Sequence, residues 1–105
     1  MDVIAERRLE ALYPDIGLTS IHLRIGRPVP RDERDWSCPV QVEGLRLWHG
    51  FGEFAGVDSW QALLLALGFV QAILSAEAER GVVFHWESSE DAISIEELFS
   101  LGKIE

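Results

Sequence analysis

The stretch Asp58–Arg80, DSWQALLLALGFVQAILSAEAER, decides the fold. Asp58 can accept a hydrogen bond from the free N–H groups of a first helical turn, and Gln61, three residues on, completes a capping box. Trp60, Leu63, Leu64, Leu67, Val70, Leu74 and Ala78 recur at helical spacing and are expected to share the buried face. Gln61, Gly68, Ser75 and Glu79 fall on the opposite stripe, Leu65 and Phe69 lie outside the apolar one, and Gly81 stops the helix. A helix this apolar on one side must lie on something, and the segments around it read as strands.

Upstream, Val3–Tyr13 is open to two readings. Val3, Ala5, Leu9 and Ala11 alternate as in a strand, yet Ala, Glu, Arg and Leu are also good helix formers. The turn residues Pro14-Asp15-Ile16-Gly17 favour the strand, because they lead into a second extended run, Ser20–Gly26, with Ile21, Leu23 and Ile25 on one face. Residues 27–35 are polar and proline-containing and are expected to be a mobile surface loop. Trp36, Cys38, Val40 and Val42 then share one side of a strand, Trp36–Glu43, and Pro39 assigns part of it to an edge, a bulge or a strand start. Gly44 predicts a turn before a short strand at Leu45–His49. Gly50, Gly52 and Gly56 break up Phe51 and Phe54, which predicts a flexible aromatic loop.

Downstream, Val82–Trp86 has apolar residues on both faces, as in an interior strand or one covered by the tail. Ser88-Ser89-Glu90-Asp91 is a turn. Ser94 and Glu97 form a second capping box, opening a short helix through Leu101 that Gly102 ends. The expected architecture is one α+β domain over residues 1–105. It has a mostly antiparallel sheet of about four to five strands, one long central helix packed on one face, and a short C-terminal helix in the tail 88–105.

A chain of 105 residues with 48% hydrophobic and 26% charged residues reads as a globular domain. Its formal net charge of -9 disfavours nucleic acid as a partner, which would need a basic surface, and suits a basic protein partner. One cysteine, Cys38, fits a reducing compartment, and the N-terminus lacks a signal-peptide layout. The longest uninterrupted apolar run, Ala62–Val70, is far short of the ~20 residues of a bilayer span. No membrane association is expected, and the expected location is the cytoplasm.

Asp35-Trp36-Ser37-Cys38-Pro39 and Gly56-Val57-Asp58-Ser59-Trp60-Gln61-Ala62-Leu63, following Ile4-Ala5-Glu6-Arg7-Arg8-Leu9, carry a resemblance. Over roughly residues 4–86 the chain resembles a family of small bacterial proteins, an uncharacterised domain of unknown function, and the loop-to-helix junction is the most specific part. The resemblance implies a single domain of bacterial origin. It implies no catalytic residue, cofactor or partner.

Chemistry-bearing residues are sparse. Gly50-Phe51-Gly52-Glu53-Phe54-Ala55 resembles a dinucleotide-binding turn, but Glu53 would set a negative charge beside a phosphate, so a structural glycine loop is the better reading. Cys38 would need His22, His49 or His85 beside it to act as a nucleophile. Its strand face is shared with Val40 and Val42, so a buried small hydrophobe is the better reading. The histidines lack the close spacing of a metal motif, and no cofactor is implied.

Aromatic residues say more. Trp36 and Trp60 are expected in the core, whereas Trp48, Phe51, Phe54 and Trp86 exceed what one helix on one sheet can bury. Together with Arg46 they form a candidate partner-binding surface, unless the tail helix covers them through Ile95, Leu98 and Phe99. Residues 77–105 hold eight acidic and two basic residues, so Glu87, Glu90 and Asp91 are candidates for steering a basic partner towards Trp86. Unsatisfied apolar surface makes a homodimer the expectation over a monomer. The expected function is a non-enzymatic binding protein, such as an acidic inhibitor or immunity-type protein directed at a basic protein. A self-associating structural or regulatory subunit is one alternative. A small ligand-binding protein or hydrolase using Cys38 or the histidines is the other.

Overall fold

Asp58 caps the central helix as its spacing demands. In the computed structural model, which describes residues 1–100, Asp58 Oδ1 accepts the Gln61 N–H at 2.8 Å, and Gln61 Oε1 reaches back to the Val57 N–H at 2.8 Å. The helix that follows is α1 (Ser59–Glu79). Before it come β1 (Val3–Tyr13), β2 (Gly17–Gly26), β3 (Val29–Pro30), β4 (Trp36–Glu43) and β5 (Gly50–Gly56). After it come β6 (Val83–Trp86), β7 (Ala92–Ile93) and the single-turn α2 (Ile95–Leu98). The expected extension of α2 to Leu101 and its stop at Gly102 lie outside the described residues.

The fold is α+β with an antiparallel sheet, as expected, but the sheet has seven strands rather than four or five. β4 pairs with β5 along residues 36–42, and its other edge is shared by β3 at residues 36–37 and β2 at residues 40–43. Pro39, which has no N–H to give, falls in the gap between those two pairings. From β2 the sheet continues through β1 and β6 to β7. β5 therefore forms one edge and β7 the other, and α1 carries the chain from β5 to β6 across one face.

Register places all the core residues on that face. Leu9 lies opposite Ile21, Leu23 opposite Val42, Cys38 opposite Phe54, and Ala11 opposite Phe84. The other face carries Glu6, Arg8, Glu10, His22, Arg24 and Glu43 and has no layer over it among the described residues. A cross-strand ladder satisfies it: Glu6 accepts from His22 at 2.9 Å, and Arg24 donates to Glu43 at 2.9 Å and to Gln41 at 3.0 Å. The Glu6 carboxyl sits below its ordinary value, chiefly through the bond to His22.

Three expectations are corrected by the backbone. Leu45–His49 is not a strand. Gly44, at φ +97°, turns the chain away, and the N–H groups of Arg46 and Leu47 go to side chains, Tyr13 Oη and Glu77 Oε1, instead of a ladder. The glycine-rich Gly50–Gly56 is a strand rather than a flexible aromatic loop. Gly50, Gly52 and Gly56 oppose Val42, Val40 and Trp36 on the covered face, where a Cβ at Gly52 would press on the Trp48 ring at 3.3 Å and one at Gly56 on the Ala62 nitrogen at 2.4 Å. Within 27–35, expected to be a loop throughout, Val29 and Pro30 pair with Ser37 and Trp36, and Asp32 Oδ1 caps the turn through the N–H groups of Arg34 and Asp35.

The largest correction is the rotation of α1. Its buried residues are Ala62, Ala66, Val70, Leu74 and Glu77, while Trp60 is 73% exposed and Leu64 53% exposed. Alanines hold the buried positions in the first turns, where the helix comes in close: a Cβ on Gly56 would stand 2.4 Å from the Ala62 nitrogen. Leu67 is only half-buried, whereas Leu74 is completely buried. Leu67→Ala is therefore expected to cost roughly half as much stability as Leu74→Ala in parallel denaturant titrations, since the cost follows the volume lost from the core.

Candidate functional site

The expected partner-binding residues do not form one surface. Trp48 and Phe54 turn inward on α1. The Trp48 ring meets Phe69 edge-on at 4.9 Å, and Phe54 lies 4.6 Å from the same ring. Phe51, 56% exposed, projects from the opposite side of β5, in register with Gln41. Arg46 is engaged elsewhere: its guanidinium grips both Asp15 carboxylate oxygens at 2.7 and 2.9 Å and lies 5.2 Å from the Tyr13 ring centre. This ion pair holds the Asp15 carboxyl below, and the Arg46 guanidinium above, their ordinary values.

Trp86 sits at the far side of the sheet, on β6, with the Arg7 guanidinium 4.9 Å over its ring. Glu87, Glu90 and Asp91 beside it are exposed. The turn holding them is tied to the sheet. The Ser88 N–H donates to Glu10 Oε1 at 2.5 Å, and the Asp91 N–H donates to Ser89 Oγ at 3.0 Å. The acidic edge and the Trp48–Phe54 cluster are thus separated by β4, β2 and β1.

Tyr13 and Glu77, which periodicity did not single out, form the most built-up polar cluster. Glu77 lies at the C-terminal end of the buried stripe of α1 and is 1% exposed. It accepts the Tyr13 O–H, and its other oxygen accepts the Leu47 N–H at 2.8 Å. Tyr13 Oη in turn accepts the Arg46 N–H at 3.2 Å. Each of these groups is satisfied, and together they pin the 44–49 connection to β1 and to the end of α1. The signal available in the sequence was Glu77 itself, a carboxylate continuing the 70–74 spacing.

Burial, with the Glu77 bond adding to it, pushes the Tyr13 phenol from 10.0 up to about 12. A phenol so raised has no proton to trade near neutral pH, which makes this cluster a fastening rather than an acid–base pair. Because the folded value is the higher one, the stabilisation is complete below pH 10 and is lost as pH rises towards about 12. Tyr13 is the sole tyrosine. Its phenolate absorbance is therefore expected to appear near pH 12 in the folded chain and near pH 10 in denaturant. Titration at pH 10 without denaturant would contradict the buried bond.

Cys38 is fully buried, and desolvation pushes its thiol above the ordinary value, the reverse of what a nucleophile needs. His22, His49 and His85 bond respectively to Glu6, the Leu45 carbonyl and the Glu90 carbonyl. No group of three metal-ligating side chains occurs among the described residues.

Among the described residues, nothing covers the outer face of α1. Trp60, Gln61, Leu64, Leu65, Gly68, Gln71 and Ala72 are exposed, and Ser59–Ala76 contains no charged residue. By length and composition α1 could cross a bilayer, and only 28% of its most apolar 18-residue window is buried. Periodicity missed this face because α1 is apolar nearly all round, so the deeper stripe could not be picked out from the sequence.

Comparison with curated proteins and with solved structures gives no match. Residues 5–95 match the Domain of unknown function DUF6968, and that match covers most of the chain. The protein belongs to this family.

Proposed function

We propose that this protein is a non-enzymatic protein-binding domain and that it meets its partner through the outer face of α1. One observation carries the reading: an indole that is 73% exposed heads an uncharged helix face on a chain of net charge -9. Contiguous exposed apolar surface of several hundred Å² marks an interaction site, and its rim here is polar. Tyr13, Glu77, Arg46 and Asp15 are all committed to one another, which leaves none of them free for reaction chemistry.

A photo-crosslinking amino acid at position 65 in the native host is expected to give a discrete adduct that Leu64→Glu abolishes. The same probe at position 92, on the bare face of β7, is expected to give none. Identical adducts from both positions, or an adduct indifferent to Leu64→Glu, would contradict the reading.

A second reading rests on the acidic edge, where Trp86 is 37% exposed beside Glu87 and Asp91. In this reading a basic partner is steered by Glu87, Glu90 and Asp91 and held by Trp86. Association would then slow as salt rises, because exposed charges are screened beyond ~10 Å at 0.1 M. Reversal of the three acids to lysine is expected to slow binding to a basic partner at low salt. An unchanged rate would reduce the edge to a solvated surface.

A further inference from the structure

We propose that the occupant of the α1 face is a second copy of this chain, packed antiparallel about a two-fold axis at Gly68. Each copy then lays Leu64 over Ala72 of the other. The inference rests on the binding role given to this face and names its partner.

Gly68 is the starting point. Glycine in a helix interior is disfavoured relative to alanine, and within the fold nothing requires it: a Cβ built there meets nothing within 4 Å. It also stands at the middle of the exposed face. A step of four residues either way reaches Leu64 and Ala72, both exposed, so a large residue lies on one side of the glycine and a small one on the other. A two-fold axis through Gly68 brings position 64 opposite 72. The bulky half of each helix therefore fills the shallow half of its mate, and the glycine lets the two backbones approach closely. A surface that is its own complement under a two-fold is what an isologous interface requires.

Area and charge agree with this occupant. Trp60, Leu64 and Leu65, exposed by 73, 53 and 47%, together bare on the order of 350 Å². Gln61, Gly68, Gln71 and Ala72 extend this towards the roughly 800 Å² per partner of a standard interface. Two chains of net charge -9 repel, and Ser59–Ala76 is where they can touch without facing carboxylates. A basic protein would find nothing there to pair with. A membrane surface is served by helices carrying Lys or Arg, and α1 has none; Arg80 comes only after its end. Crossing a bilayer would require pulling Ala62, Ala66, Val70 and Leu74 off the sheet.

Sedimentation equilibrium on the purified chain across micromolar concentrations is expected to show a reversible dimer of the 11.8 kDa protomer. Gly68→Leu has open space within one copy and improves helix propensity, so its circular dichroism and unfolding as a monomer are expected to match or exceed the parent's. Its dimer dissociation constant is expected to rise on the order of 30-fold or more, the effect of one central hot spot. A mixture of Leu64→Cys and Ala72→Cys chains is expected to oxidise to the mixed disulfide in preference to either symmetric one, with Cys38 out of reach in the core. A monomer at every concentration, a dimer indifferent to Gly68→Leu, symmetric 64–64 crosslinks, or co-flotation with phospholipid vesicles in place of self-association would each overturn the proposal. If the chain is monomeric while the adduct at position 65 in the host still depends on Leu64, the second copy is excluded and the binding role stands. If the adduct is lost as well, the binding role falls with it.

Discussion

Glu77→Ala is expected to destabilise the domain by about 4 kcal/mol, the largest effect of any single truncation considered. Glu77 is essentially fully buried, and the cost has three sources. The Tyr13 O–H and the Leu47 N–H both lose an ionisable acceptor, and an orphaned buried donor costs about 1–3 kcal/mol. The removed carboxylate also leaves a void beneath the end of α1. The 44–49 connection, held by these bonds rather than by a ladder, is released at the same time. Urea unfolding of the variant checks the magnitude. Amide exchange should show Arg46 and Leu47 opening first, and a loss below about 1 kcal/mol would mean that water replaces the carboxylate at no cost. Tyr13→Phe removes only the hydroxyl and should cost less.

Gly56→Val is expected to cost about 3 kcal/mol or more, above the usual range for one added side chain in a tight core. The obstacle is backbone rather than a movable side chain: a Cβ at position 56 lies 2.4 Å from the Ala62 nitrogen and 2.9 Å from its Cα. The first turn of α1 would have to lift off β5, which strips contacts from Ala62 and Ala66 and disturbs the cap at Asp58. Gly50→Val is the matched control for crowding. Position 50 meets nothing within 4 Å, although its φ of +112° adds a strain of its own. Thermal unfolding of both variants separates the two costs. Equal midpoints would show that strain, not the close approach of α1, makes these glycines necessary.

Much of the fold was legible because local rules and burial agreed. Asp58 and Gln61 marked the start of α1, and the alternation at Ile21–Ile25 and Cys38–Val42 marked β2 and β4 together with their covered face. Where two physical demands compete, periodicity could not arbitrate. Leu63, Leu64 and Leu65 are consecutive, so a sequence window cannot tell which of them faces the sheet. The choice is made by the space left at Gly56, which is a tertiary fact. The glycines of β5 read as loop signals because their function, admitting a helix and the Trp48 ring, needs both partners in place. Of the candidate surface, Trp86 and its acids were placed at an exposed edge, whereas Trp48 and Phe54 went inward to Phe69. Trp60, expected in the core, is the most exposed large aromatic among the described residues.

The pairing of α1 with α1 is tested most directly by fluorotryptophan in place of the four tryptophans, followed by fluorine NMR over a dilution series. The Trp60 resonance, assigned by Trp60→Phe, is expected to shift or broaden as concentration falls. The resonances of Trp36, Trp48 and Trp86 are expected to stay fixed. A Trp60 signal that does not change with concentration would contradict the account, and a shift confined to Trp86 would place self-association at the acidic edge instead.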